Sequence, residues 1–277
     1  MRGVVVAVAA ALLLAGCSGS TSSSPSAEPT PSSSSSPAPS PSADPTPTNT
    51  PTPSPPPPAH ACYRLAYADA LAPTLSSRPV RCTRPHTAVT FYVGHVGKAI
   101  AADDARVNRL VSTDCPQRFA TFAGGTLEDR RLSLLRTVWF TPMLEQSALG
   151  ARWYSCVALA LRDSRHLAVL SRVAGALDTP DGRARYGLCG TAEPGTAGFE
   201  QRICSAPHAW KALRTVGFLP GRYPGVTKVR AAGQQVCKDA GQAVASDPLS
   251  YRWSYQWPTL AQWRGGQTYG VCWAPSS

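Results

Sequence analysis

Cys82 and Cys115 stand 33 residues apart, and so do Cys204 and Cys237. This repeated spacing constrains the chain more than any other feature, because further matches collect around it. Cys82-Thr83-Arg84-Pro85-His86 parallels Cys204-Ser205-Ala206-Pro207-His208. Pro142 lies 14 residues before Cys156, and Pro258 lies 14 residues before Cys272. Between them Leu144, Gln146 and Gly150 align with Leu260, Gln262 and Gly266, and Trp153 aligns with Tyr269. The chain therefore reads as two copies of one module, residues 60–165 and 185–277. A connector at 166–184 carries turn chemistry at Thr179-Pro180-Asp181-Gly182.

Each copy holds four cysteines: Cys62, Cys82, Cys115 and Cys156 in one, Cys189, Cys204, Cys237 and Cys272 in the other. Such a set persists as disulfides in an oxidising compartment. Structural zinc is the competing reading, but the closest pair is fifteen residues apart and the chain has no C-x-x-C. Spacing alone does not decide the pairing within a module. We favour first with second and third with fourth, which closes a local loop with Cys62–Cys82 and staples helix to sheet with Cys115–Cys156. A module of this size has a modest core, so such staples matter.

The ninth cysteine, Cys17, explains the odd count. Arg2 begins a positively charged start, and residues 4–14 are uncharged. That run is too short to span a bilayer and fits the apolar core of a signal peptide, residues 1–16. Leu14-Ala15-Gly16-Cys17 reads as a lipobox, with Cys17 the lipidation site. Two acyl chains on one residue give stable anchoring. The expected location is the extracytoplasmic face of the cell membrane.

Residues 17–59 form a linker. Positions 18–59 contain 14 Ser and 14 Pro and no large apolar side chain, so they bury no core and are expected to be disordered. Proline makes such a stretch a semi-rigid spacer, at about 3.1 Å per residue. The formal net charge is +11. Outside the cell a basic surface points to anionic head groups or wall polymers, while the compartment argues against nucleic acid.

Within each copy the Pro-His step leads into a strand-like run, residues 88–96 and 210–219. A helix follows. Val107, Leu110, Val111, Cys115, Phe119 and Phe122 mark it in the first copy, with Gly124-Gly125 at its end; Val229, Val236, Cys237, Ala240 and Val244 mark it in the second. Pro116 is expected to kink or split the first helix. Further strand-like runs lie at 132–140 and 153–161, and at 251–257 and 268–273. The expected class is α+β: two tandem disulfide-stapled modules, each a small antiparallel sheet with one packed helix.

His86 and His208 are the candidate binding residues, since a histidine at a fixed place can act as base or ligand. The plainer reading makes Pro-His a rigid turn whose imidazole bonds backbone. His60, His95 and His166 have no counterpart in the other copy. The chain lacks G-x-S-x-G, H-E-x-x-H and a phosphate-cradling loop, and no carboxylate pair recurs in both halves. We expect no catalytic residue, cofactor or metal. The aromatic residues Trp253, Tyr255, Trp257, Trp263, Tyr269 and Trp273 are candidates for a sugar platform or for core.

The pattern C…CxxPH…C…P…G…C resembles the septum formation-related domain of actinobacterial envelope proteins. Cys82, Pro85, His86, Cys115, Pro142, Gly150 and Cys156 carry it, and again Cys204, Pro207, His208, Cys237, Pro258, Trp263, Gly266 and Cys272. The openings Ala61-Cys62 and Leu188-Cys189 depart from a Gly-Asp-Cys-like start, and Thr87 and Ala209 replace an acidic residue. The resemblance implies a non-enzymatic envelope module connected with cell division. The resulting expectation is a lipid-anchored binding or scaffolding protein whose partner is an anionic wall polymer or an envelope or division protein. The alternative is an enzyme acting on peptidoglycan or its precursors through His86 and His208.

Overall fold

Alternating apolar residues in the first half settle into an antiparallel sheet. The computed structural model describes residues 52–97 and 105–276. The first sheet runs in the order β1-β2-β4-β3, where β1 is Cys62–Tyr63, β2 Ala88–His95, β3 Leu135–Phe140 and β4 Trp153–Asp163. A short β5, His166–Leu167, folds back on β4. The central strand β4 is buried from Trp153 to Ala160. Its Tyr154, Cys156, Ala158 and Ala160 face one apolar cluster, while Val157 and Leu159 face another. That split is the period of two that a pleated strand imposes.

The second sheet has the order β7-β6-β8-β10-β9. Here β6 is Leu188–Gly190, β7 Gln201–Ile203, β8 Trp210–Gly217, β9 Ser254–Gln256 and β10 Tyr269–Pro275. Its path β6-β8-β10-β9 corresponds to β1-β2-β4-β3. The likeness extends to an irregularity. Thr90 faces Val157 and Tyr92 faces Cys156, so Phe91 is the extra residue of a β-bulge. Ala212 faces Trp273 and Arg214 faces Cys272, which makes Leu213 its counterpart. Both bulged residues lie nine positions after the second cysteine of their half.

Helices cover the sheets. The short α1 is Tyr67–Ala70, and the long α2 is Ala105–Ala123. α2 buries Val107, Val111, Cys115, Phe119 and Ala123, one every fourth residue. Pro116 does not split it. Ser112 and Pro116 are exposed, so the carbonyl that loses its partner lies on the water-facing side, and burial of the opposite stripe holds the helix together. α3 is Leu127–Arg131, α4 Leu144–Ala148, α5 Pro180–Tyr186, α6 Val226–Val244 and α7 Leu260–Arg264, with a 3₁₀ turn at Ala176–Asp178.

α6 buries Val229, Gly233, Cys237 and Gly241. The expected stripe is thus displaced: Val236 and Ala240 are half-buried, and Val244 is 58% exposed. The cause is aromatic bulk on the sheet. A β-carbon on Gly233 would lie 2.1 Å from the Tyr255 ring, and one on Gly241 would lie 2.6 Å from Trp253.

Four disulfides join Cys62–Cys82, Cys115–Cys156, Cys189–Cys204 and Cys237–Cys272. Cys115–Cys156 bolts α2 to β4, and Cys237–Cys272 bolts α6 to β10. α4 and α7 also end alike. Gly150 at φ 103° and Gly266 at φ 91° take the left-handed conformation that favours glycine. Ala151 N–H then donates to the Gln146 carbonyl, and Gln267 N–H to the Gln262 carbonyl, each at 2.9 Å.

The two sheets share one core. Leu134 N–H donates to the Tyr186 carbonyl and Leu188 N–H to the Leu132 carbonyl, both at 2.7 Å. A single apolar cluster holds Val111 and Phe119 of α2 together with Leu188, Ile203, Trp210 and Trp273. Residues 166–184 are more than a connection, since Leu170, Val173, Ala176 and Leu177 are buried within it. The disorder expected of the linker does not hold over residues 52–59, and residues 1–51 lie outside the described residues. Ser54 is hydrogen-bonded to the folded domain through both its N–H and its carbonyl, because side chains there supply the partners that water otherwise provides.

Candidate functional site

The Pro-His step is built identically in both halves. His86 Nδ1 lies 2.9 Å from the Arg84 carbonyl, and His208 Nδ1 lies 2.8 Å from the Ala206 carbonyl. A carbonyl only accepts, so each Nδ1 carries its proton, and a neutral ring offers Nε2 as an acceptor. The following residue docks on the first strand of its sheet. Thr87 N–H donates to the Tyr63 carbonyl at 2.8 Å, and Ala209 N–H to the Gly190 carbonyl at 2.9 Å. Pro-His is therefore a turn that fixes the start of β2 and of β8.

The surroundings of the two turns differ. Beside His86 lies an open groove of about 560 Å³. Arg84, Arg172, His60 and His86 line it above an apolar floor that includes Val89 and Phe122, and no carboxylate lines it. Arg84 and Arg172 are exposed. Among the described residues neither forms an ion pair; Arg172 Nε donates to the Ala174 carbonyl at 3.3 Å. Beside His208 the charge is spent internally: Arg202 donates to the Pro207 carbonyl at 3.0 Å and lies 3.4 Å from Glu200. The turn at His86 thus offers uncompensated positive charge, and the turn at His208 does not.

The two candidate histidines are not brought together, because one belongs to the loop before β2 and the other to the loop before β8. His60 joins His86 at the groove, while His95 is exposed on β2. His166 Nδ1 lies 2.6 Å from Asp163. Burial alone would raise the Asp163 carboxyl, but the Arg165 N–H, His166 and Arg162 outweigh it and hold it down at about 2. Cys17 lies outside the described residues.

Arg84 and Arg172 are the charged residues of this groove that sequence reasoning missed. Arg84 sits inside the repeated motif, so position marked it. Arg172 arrives from the segment after β5 because Leu170 N–H donates to the His86 carbonyl at 2.8 Å, a long-range bond with no local signal. The C-terminal aromatic residues serve the core: Tyr255, Trp263 and Trp273 are buried, and Trp253, Trp257 and Tyr269 are half-buried. Among the described residues no group of three or more His, Cys, Asp or Glu is placed to hold a metal ion, and no helix is long and apolar enough to cross a membrane.

A family model described as septum formation matches residues 98–272. The match is one range that runs across both sheets and begins after the His86 turn. No curated protein and no solved structure matches the chain.

Proposed function

The chain belongs to the septum formation family, and from that premise we propose that it is a binding or scaffolding component of the cell envelope. In this reading Cys17 carries the lipid that holds it at the extracytoplasmic face of the membrane, and the two sheets are diverged copies of one module. The groove beside His86 receives an anionic wall or envelope component. The observation that carries the proposal is the pair Arg84 and Arg172, two exposed guanidiniums on one groove with no carboxylate beside them. Guanidinium recognises carboxylate and phosphate in a bidentate manner. The four disulfides agree with an oxidising compartment. His86 and His208 each hold a backbone carbonyl in a separate turn, an arrangement suited to building loops.

The test is sedimentation of the full chain with purified cell walls at rising salt. Retention should be strong at low salt and fall as ionic strength passes the physiological range, where the screening length is about 8 Å. Arg84→Ala combined with Arg172→Ala should remove most of it. Retention unchanged in the double variant sinks the groove as the binding site. Release of muropeptides that stops with His86→Ala and His208→Ala would replace this reading with an enzymatic one.

A further inference from the structure

Residues 54–58 of the tether read Ser-Pro-Pro-Pro-Pro. Proline fixes φ, and a residue before proline is pushed out of the helical region. Positions 54–57 all precede proline, so this stretch is confined to an extended, polyproline II form that repeats every third residue and makes no internal hydrogen bonds. Its backbone polar groups must find partners elsewhere.

In the structure those of Ser54 find them on α4 and β4. Ser54 N–H donates to Gln146 Oε1 at 2.6 Å, and the indole N–H of Trp153 donates to the Ser54 carbonyl at 3.3 Å. Pro57, one turn further along, is half-buried, whereas Pro55, Pro56 and Pro58 are exposed. The same groove is lined by Tyr63, Pro142 and Met143. An aromatic floor with an indole donor and a carboxamide acceptor is the chemistry that reads an extended proline-rich backbone.

The second half supplies an internal control. Its matching glutamine, Gln262, serves its own helix: Thr259 N–H donates to Gln262 Oε1 at 2.9 Å, and Gln262 N–H donates to Thr259 Oγ1 at 3.2 Å. In the first half Met143 stands at that cap position and makes no side-chain cap. α4 has given up its capping pair, and the freed Gln146 carboxamide points at the tether. Tyr269, where Trp153 stands in the first half, lies under Arg131 at 4.5 Å. The proline-reading pair is therefore specific to one half.

We infer that Trp153 and Gln146 form a recognition site for proline-rich segments in the polyproline II form, and that residues 53–58 of this chain are its resident occupant. The site is separate from the groove at His86 and stands whether or not that groove binds an anion.

The probe is a synthetic peptide of residues 50–59, added to the full chain with residues 53–58 replaced by alternating glycine and serine. Saturable binding is expected, read as a shift of the Trp153 indole N–H resonance. The unaltered chain should resist the peptide, because its own tether competes at an effective concentration of order millimolar. Trp153→Phe in the emptied background should weaken binding roughly fivefold, the loss of one neutral hydrogen bond. Gln146→Ala should do the same, and it serves if the tryptophan variant fails to fold. Absence of saturable binding to the emptied chain overturns the inference, as does equal binding of a glycine-serine peptide.

Discussion

The ring of Tyr255 occupies the space that a β-carbon on Gly233 would fill, 2.1 Å away, and its hydroxyl donates to the Val229 carbonyl at 3.0 Å. A sheet residue thus reaches through the helix stripe, and glycine is what lets α6 come close enough for that bond. Gly233→Ala sets two effects against each other. Alanine gains up to about 1 kcal/mol in helix propensity, while overpacking a buried contact costs about 1–3 kcal/mol. Tyr255 is held by Gly270 on its other side as well, at 2.5 Å from a would-be β-carbon, so the ring has nowhere to retreat. Urea unfolding should show a net loss of stability, and a gain would refute the packing account.

The same phenol predicts an alkaline effect. Burial pushes the Tyr255 hydroxyl up to about 12. The ionised form is disfavoured in the fold, so the contribution is fully present below the ordinary tyrosine value near pH 10. It is lost as pH rises from there through 12. Absorbance titration of Tyr255→Phe should show one late-ionising tyrosine fewer, with Tyr154 and Tyr63, which burial also raises, left in place.

Reduction should be ordered. Cys82 is exposed, whereas Cys115, Cys156, Cys237 and Cys272 are fully buried. Mild reductant under native conditions should open Cys62–Cys82 first, as read by alkylation and mass spectrometry. Replacing Cys115 and Cys156 with serine, which opens a separation of 41 residues, should cost about 4 kcal/mol in the chain-entropy account.

The sheets should unfold together. Glu128 Oε1 accepts from Thr215 N–H at 2.8 Å across the join, and the apolar core is continuous through it. A single calorimetric transition is expected. Glu128→Ala, which also removes the bond from the Thr215 hydroxyl, should lower its midpoint by the equivalent of about 1.5–3 kcal/mol, the range for hydrogen bonds to a charged group, without splitting it. Two separated transitions would show that the halves are independent.

Much of this architecture was legible because the cysteine spacing was legible. Equal spacing from Cys82 and Cys204 located β2, β8 and both long helices, and even the bulged Phe91 and Leu213 share a position in that count. What stayed hidden has a physical reason in each case. Gly233 and Gly241 carry no hydropathy, so the buried face of α6 was assigned to valines beside it. Pro116 signalled a break by propensity, and tertiary burial of Val111 and Cys115 overrode it. The packing of residues 166–184 and the approach of Arg172 to His86 depend on bonds between distant residues. The candidate histidines were found, but the charge around them was not.

Strand order carries a consequence for how the chain reaches its final form. In the first sheet β4 lies between β2 and β3, and in the second β10 lies between β8 and β9. Each middle strand comes after both of its neighbours in the sequence. Each middle strand can pair at once with the strand just before it, β3 with β4 and β9 with β10, but β2 and β8, made earlier, must wait with one edge open until that late pair closes on them across the long helix. Such long-range closure is slow, and the interval before it leaves open strands exposed to the wrong neighbour. A partner that shields those edges during that interval would set how much of the protein arrives intact.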